Sequence, residues 1–187
     1  MLILLILIIL LIYTEFNTKY IIRNEIKIKS GSLIVCSHDY EHKDIFITLQ
    51  EIEKEKKEHF YVLFANEYWN YLIEPFRPNN TEFIYVKDNT VNKLSNKLIL
   101  GYNVVLFLYK QNNSSGVYHI LKNTNANLGL FKIKGNLIGS NHYNSSHFGI
   151  LLDNKLSKYS LKYRDYNYSL NYSPKIFMNK LKNKLYS

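Results

Sequence analysis

Five short apolar runs separated by amphipathic stretches constrain this chain more than any other feature. Ser32 to Ser37, Phe60 to Phe64, Phe83 to Val86, Val104 to Tyr109 and Leu128 to Ile133 have strand length and β-branched or aromatic content. Between them the apolar period changes from two to 3.6 residues. Ile45, Leu49 and Ile52 mark one face of a helix over 43–58. Trp69, Leu72 and Ile73 mark a short one over 67–74, stopped by Pro75. Val91, Leu94 and Leu98 mark a helix over 89–100 with Gly101 as its left-handed stop, and a further helix follows over 117–125. Strands that alternate with helices imply an α/β fold: a single domain with a mostly parallel central sheet flanked by helices. Val104 to Tyr109 is apolar throughout and so belongs at the centre of that sheet. Phe148 to Leu152 and the Tyr-rich run from Leu161 to Tyr168 suit late, more exposed strands. Ser173 and Pro174 then open a helix with Phe177, Leu181 and Leu185 on one stripe. No internal repeat and no linker divides residues 30–187.

The size and apolar content suit a real core. The chain has 187 residues, of which 47% are hydrophobic and 15% aromatic, and this excludes a disordered protein. The net charge of +9 suits an acidic partner such as phospholipid headgroups, a phosphate-bearing ligand or nucleic acid, and equally a solvated basic surface. Cys36 is the only cysteine and falls inside a buried strand, which excludes a disulfide framework and a cysteine zinc site.

Residues Met1 to Tyr13 read MLILLILIILLIY, without a polar group before the final Tyr. As a helix this run reaches roughly 20 Å against a hydrocarbon core of about 30 Å. Thr14 to Ile22 are expected to extend it at the interface. No basic residue precedes the run and no small-residue cleavage site follows, which disfavours a removed leader. Lys19, Arg23, Lys27 and Lys29 lie just downstream and hold that flank on the cytosolic side. The expectation is a membrane anchor over 1–22 with the globular part, 30–187, facing the cytosol.

The chemistry-bearing stretch is Leu33-Ile-Val-Cys-Ser-His38-Asp-Tyr-Glu-His42-Lys-Asp44. A strand ends in a His, and an Asp stands where a helix begins. In such a turn a carboxylate can orient an imidazole that accepts a proton. His42 is the rival base, beside Lys43 at a helix start. His59, His119, His142 and His147 show no metal-ligand spacing, so no metal is expected.

The order of these parts resembles the glycerolipid acyltransferases, the family that includes the 1-acylglycerol-3-phosphate acyltransferases. Its members carry a membrane segment, then a strand leading into an NHxxxxD box at a helix start. A strand ending in Arg, a helix, a Gly and a strand ending in FPEGTR follow. Here SHDYEHKD stands in the first box, and Phe83-Ile-Tyr-Val-Lys87-Asp88 stands at the Arg-bearing strand. Val91 to Leu98 and Gly101 to Phe107 stand at the helix, the Gly and the next strand. The resemblance covers roughly residues 1–135 and is one of layout. Two departures are specific: five residues separate His38 from Asp44 where the family has four, and Leu108-Tyr109-Lys110-Gln111 replaces the Glu and Gly of the last box.

The resemblance implies acyl transfer from acyl-CoA, as co-substrate, to a hydroxyl of a lysophospholipid or related glycerolipid. It implies His38 as the base, Asp44 as its orienting carboxylate, and no bound cofactor. It also implies that Lys87 and Lys110, where the family places its phosphate-contacting boxes, bind the anionic substrate from the ends of adjacent strands. Two other readings compete: an inactive, membrane-tethered scaffold with the same fold, and a nucleic-acid binder suggested by interleaved Tyr and Lys over 155–187. The apolar N-terminus argues against nucleic acid as a partner.

Overall fold

The computed structural model describes residues 20–22, 27–37, 48–49, 52–53, 59–64, 77–108, 110, 114–136 and 158–187. Seven strands form one sheet: β1 (Tyr20–Ile22), β2 (Ser32–Ser37), β3 (Phe60–Phe64), β4 (Thr81–Tyr85), β5 (Asn103–Leu108), β6 (Asn127–Asn136) and β7 (Lys158–Asp165). Their order is β1-β7-β6-β2-β5-β3-β4. The five strands from β6 to β4 are mutually parallel, β7 runs antiparallel to β6, and β1 runs parallel to β7. Among the described residues three helices can be given bounds: α1 (Thr90–Ile99), α2 (Gly116–Thr124) and α3 (Pro174–Tyr186). The α/β class and the largely parallel sheet are therefore as the alternation of periods implies.

Pleating sends each strand's side chains alternately to two cores. On the first face Ile34, Cys36, Phe60, Val62, Val105 and Phe131 pack with Leu49 and Ile52, which are helical residues of the β2–β3 connection. On the second face Leu33, Val35, Val104, Leu106, Leu128 and Leu130 lie under all three helices, through Leu94 and Leu98 of α1, Ile120 and Leu121 of α2, and Phe177, Leu181 and Leu185 of α3. All six residues of β2 are buried, as a strand covered on both faces requires.

α1 ends as its sequence dictates. Tyr102 N–H donates to the Lys97 carbonyl and Gly101 N–H to that of Leu98, both at 3.0 Å, with Gly101 at φ +87°. This is the six-to-one and five-to-two closure that a left-handed residue permits and that glycine adopts without strain. α3 starts with Pro174 in its first turn, where a missing N–H costs nothing.

Three differences from the sequence reading have physical causes. Tyr20–Ile22, expected to continue the apolar N-terminal segment, instead pair with Tyr159, Ser160 and Leu161 as an edge strand. A three-residue strand shows no usable alternation. β6 runs on through Lys132, Lys134 and Asn136 because antiparallel β7 pairs with it as far as Asn136. The Tyr-rich late strand begins at Lys158 and ends at Asp165 for the same reason. The expected anchor over residues 1–13, the helix over 67–74 and the strand over 148–152 lie outside the described residues. Among the described residues no helix is long and apolar enough to cross a membrane.

Candidate functional site

The topology singles out one place on the sheet. The chain leaves β2 on the first face, where Leu49 and Ile52 pack, and reaches β3 by passing over β5. It leaves β5 on the second face through α2 and steps back across β2 to β6. Adjacent parallel strands whose outgoing connections go to opposite faces leave a crevice at their carboxyl ends, where open α/β sheets bind ligands. β2 and β5 are such a pair, matched from Leu33↔Val104 to Ser37↔Leu108.

Ser37 is buried at the carboxyl end of β2 and is the residue before His38. His38, His42 and Asp44 lie outside the described residues, so the distance between base and carboxylate is not a property of the described geometry. Beside Ser37, the end of β5 is held from the second face by the Tyr186 hydroxyl, which donates to the Leu108 carbonyl. Lys110 follows, exposed.

α1 and α2 both begin at this carboxyl edge, following β4 and β5. Neither has a side-chain cap bond nor an acidic residue in its first turn. The partial positive charge of two helix ends therefore faces the same edge; Asp88, just before the Asn89 N-cap, offsets it at α1, and among the described residues no carboxylate stands beside the start of α2. The sequence predicts polar loop over 112–116 and a helix from Val117; α2 starts one residue earlier, at Gly116. The signal for the start of α2 was present in Ser114-Ser115-Gly116 followed by the apolar run of Val117, Ile120 and Leu121.

Lys87 shares this edge but not this crevice. It follows β4, which ends at Tyr85, and β3 lies between β4 and β5. At about 4.8 Å per strand, the ends of β4 and β5 are roughly 10 Å apart. The expectation that Lys87 and Lys110 sit on adjacent strands is thus corrected. The backbone N–H of Lys87 donates to the Thr90 hydroxyl at 2.8 Å, which fixes the turn into α1.

The remaining titratable candidates fall into structural roles. Cys36 is fully buried, and burial pushes its thiol well above the ordinary value, so it stays protonated and unreactive. His59 is exposed, 3.8 Å from Glu82 and edge-on to the Tyr61 ring at 5.0 Å. Among the described residues no cluster of His, Cys, Asp or Glu has the makings of a metal site. A cleft of about 210 Å³ lies at the opposite, amino edge, lined by residues including Lys29, Asn125, Asn127 and Asp165. It is far from the strand ends that precede His38 and Lys110.

Comparison with protein-family models and with curated protein sequences gives no match. The likeness to the acyltransferases therefore rests on the order and spacing of residues in this chain.

Proposed function

We propose that this protein is a membrane-associated acyltransferase that moves an acyl group from acyl-CoA to a hydroxyl of a lysophospholipid or related glycerolipid. One observation carries the reading: the strand that leads into His38 and the strand that leads into Lys110 are neighbours at a switch point of the sheet. A helix amino end without acidic residues opens beside them. Such a crevice suits a substrate bearing phosphate, and a base at its rim suits a hydroxyl.

In this reading His38 accepts the proton of the acceptor hydroxyl while Asp44 holds the imidazole in the required tautomer. The hydroxyl oxygen bonds to the thioester carbonyl carbon, and collapse of the tetrahedral intermediate breaks the C–S bond. The coenzyme A sulfur leaves and takes the proton back from the imidazolium. Backbone N–H groups near Lys43, where the sequence predicts a helix start, stabilise the oxyanion. Lys110 binds substrate phosphate at the crevice, and Lys87 contributes from farther along the edge. The run Met1 to Tyr13 holds the protein on the membrane with its globular part on the cytosolic side.

The replacement of the Glu and Gly by Tyr109 and Lys110 supports a second reading, an acyltransferase-like membrane scaffold without catalysis. One experiment separates the two. Purified full chain is supplied with acyl-CoA and a panel of lysophospholipids, and thiol release and product lipid are measured. Transfer that disappears in His38→Ala supports the enzyme. No transfer by the parent across the panel overturns it in favour of the scaffold.

A further inference from the structure

The helical layer on the second face carries side-chain charge of one sign. α1, α2 and α3 contain seven lysines and no Asp or Glu. Elsewhere the signs are mixed: the stretch from Asp39 to Asp88 holds eleven of the fifteen carboxylates in the chain together with six Lys or Arg residues. Within the helical layer Lys93, Lys122, Lys175, Lys180 and Lys184 are exposed.

The same layer carries most of the exposed apolar bulk. Ile99 and Leu100, at the end of α1, are 65% and 70% exposed, and Ile176 on α3 is 48% exposed. Tyr102 and Tyr172 are exposed beside them, each with a lysine ammonium against its ring: Lys97 at 5.8 Å and Lys180 at 3.5 Å from the ring centroid. Of the large hydrophobic residues exposed among the described residues, only Val86 lies elsewhere.

We propose that the α1–α2–α3 layer is the face that lies on a bilayer surface carrying anionic headgroups. Lysines meet the headgroups, and Ile99, Leu100 and Ile176 enter the boundary between headgroups and acyl chains. Lysine, a compact ammonium on a long apolar stem, suits this role, and the layer's three helices contain no arginine. Exposed aliphatic side chains have no counterpart in binding a phosphodiester backbone, which places nucleic acid second. This orientation leaves both edges of the sheet beside the membrane plane, including the crevice between β2 and β5. It goes beyond the proposed acyl transfer and does not depend on it.

The test uses the full chain with Leu100→Cys carrying an environment-sensitive fluorophore; Cys36 is buried and does not compete for the label. On phosphatidylcholine–phosphatidylserine vesicles the emission should shift to the blue and be quenched by nitroxide lipids. On phosphatidylcholine alone, where the N-terminal run can still bind, the shift should be several-fold smaller. The same label at Asn79→Cys, exposed and bonded through its N–H to Glu53 beside the first face, should report water throughout. Replacing Lys93, Lys175, Lys180 and Lys184 by Gln should weaken the anion-dependent component at least tenfold, given roughly fivefold per lysine. Equal shifts at positions 79 and 100, no response to phosphatidylserine, or a response to single-stranded RNA alone would overturn the proposal. His38→Ala should leave every one of these signals unchanged, so failure of the docking face and failure of the catalytic reading give different results.

Discussion

The amino and carboxyl edges of the parallel sheet are built for different ends. At the amino edge side chains knit neighbouring segments together. Asn103 accepts the Ser32 N–H at 2.9 Å, and Gly31 N–H donates to the Gly101 carbonyl at 2.8 Å. Tyr168 donates to the Ala126 carbonyl at 2.8 Å, Tyr163 to Asp165 at 3.1 Å, and Lys29 pairs with Asp165 at 3.1 Å. At the carboxyl edge β2, β3 and β5 run out into connections, two helices begin without acidic caps, and Lys87 and Lys110 stand exposed. The lesson is a division of labour: substitutions at the amino edge should cost stability, and those at the carboxyl edge should cost ligand binding and turnover.

The largest expected effect tests the carboxyl edge. His38→Ala should lower acyl transfer roughly a hundredfold or more, as the loss of a general base does, while the melting temperature stays within a degree or two of the parent. Asp44→Asn should follow it closely, and His42→Ala should be mild. A large drop in melting temperature for His38→Ala would break the division, because it would make this strand end structural.

The amino edge should answer in the opposite currency. Asn103 is buried, and Asn103→Ala leaves the Ser32 N–H without its partner, which should cost about 1–3 kcal/mol in chemical denaturation. Gly129→Ala should cost a similar amount, since a Cβ there would stand 2.5 Å from the Tyr163 hydroxyl and push the ring off Asp165. Neither should change the substrate KM of the protein that remains folded.

Much of this architecture was legible from residue pattern alone. The limits of β2 follow from an apolar run bounded by Ser32 and Ser37, β3 is the apolar run Phe60–Phe64, and Gly101 is left-handed as its place after Leu98 implies. Leu94, Leu98, Phe177, Leu181 and Leu185 are all buried, because a 3.6-residue stripe has to face the sheet. Strand order was not legible, since it depends on crossovers between segments distant in sequence. That is why the sequence puts Lys87 and Lys110 after neighbouring strands of one edge, whereas β3 separates those strands. The true extent of β6 depends in the same way on its pairing with β7, which the sequence of β6 does not encode locally.

Strand order also sharpens the comparison within the carboxyl edge. Lys110→Glu, beside the β2–β5 crevice, should raise the KM for a lysophospholipid or acyl-CoA several-fold, and the effect should shrink as salt screens it. Lys87→Glu, beyond β3, should raise it less. Equal effects would mean that the substrate spans the ends of β2, β5, β3 and β4, and an inverted order would move the anion site to the amino end of α1.

The smallest effect is expected from the most visible ion pair. Lys29 and Asp165 approach to 3.1 Å, but their side chains are 62% and 45% exposed, so water and salt already screen the attraction. Lys29→Ala should cost less than about 1 kcal/mol. Asp165 also accepts the Tyr163 hydroxyl, whose titration is displaced upward by burial and then by the adjacent carboxylate. A phenol raised in the folded state keeps its stabilising contribution below the ordinary tyrosine value and loses it as pH climbs beyond. Loss of stability above pH about 10 should therefore be gentler in Tyr163→Phe than in the parent, while Lys29→Ala should leave its onset in place. If Lys29→Ala cost several kcal/mol at neutral pH, the pair would be holding the amino edge together, and the backbone and amide bonds of Gly31, Ser32 and Asn103 would be secondary to it.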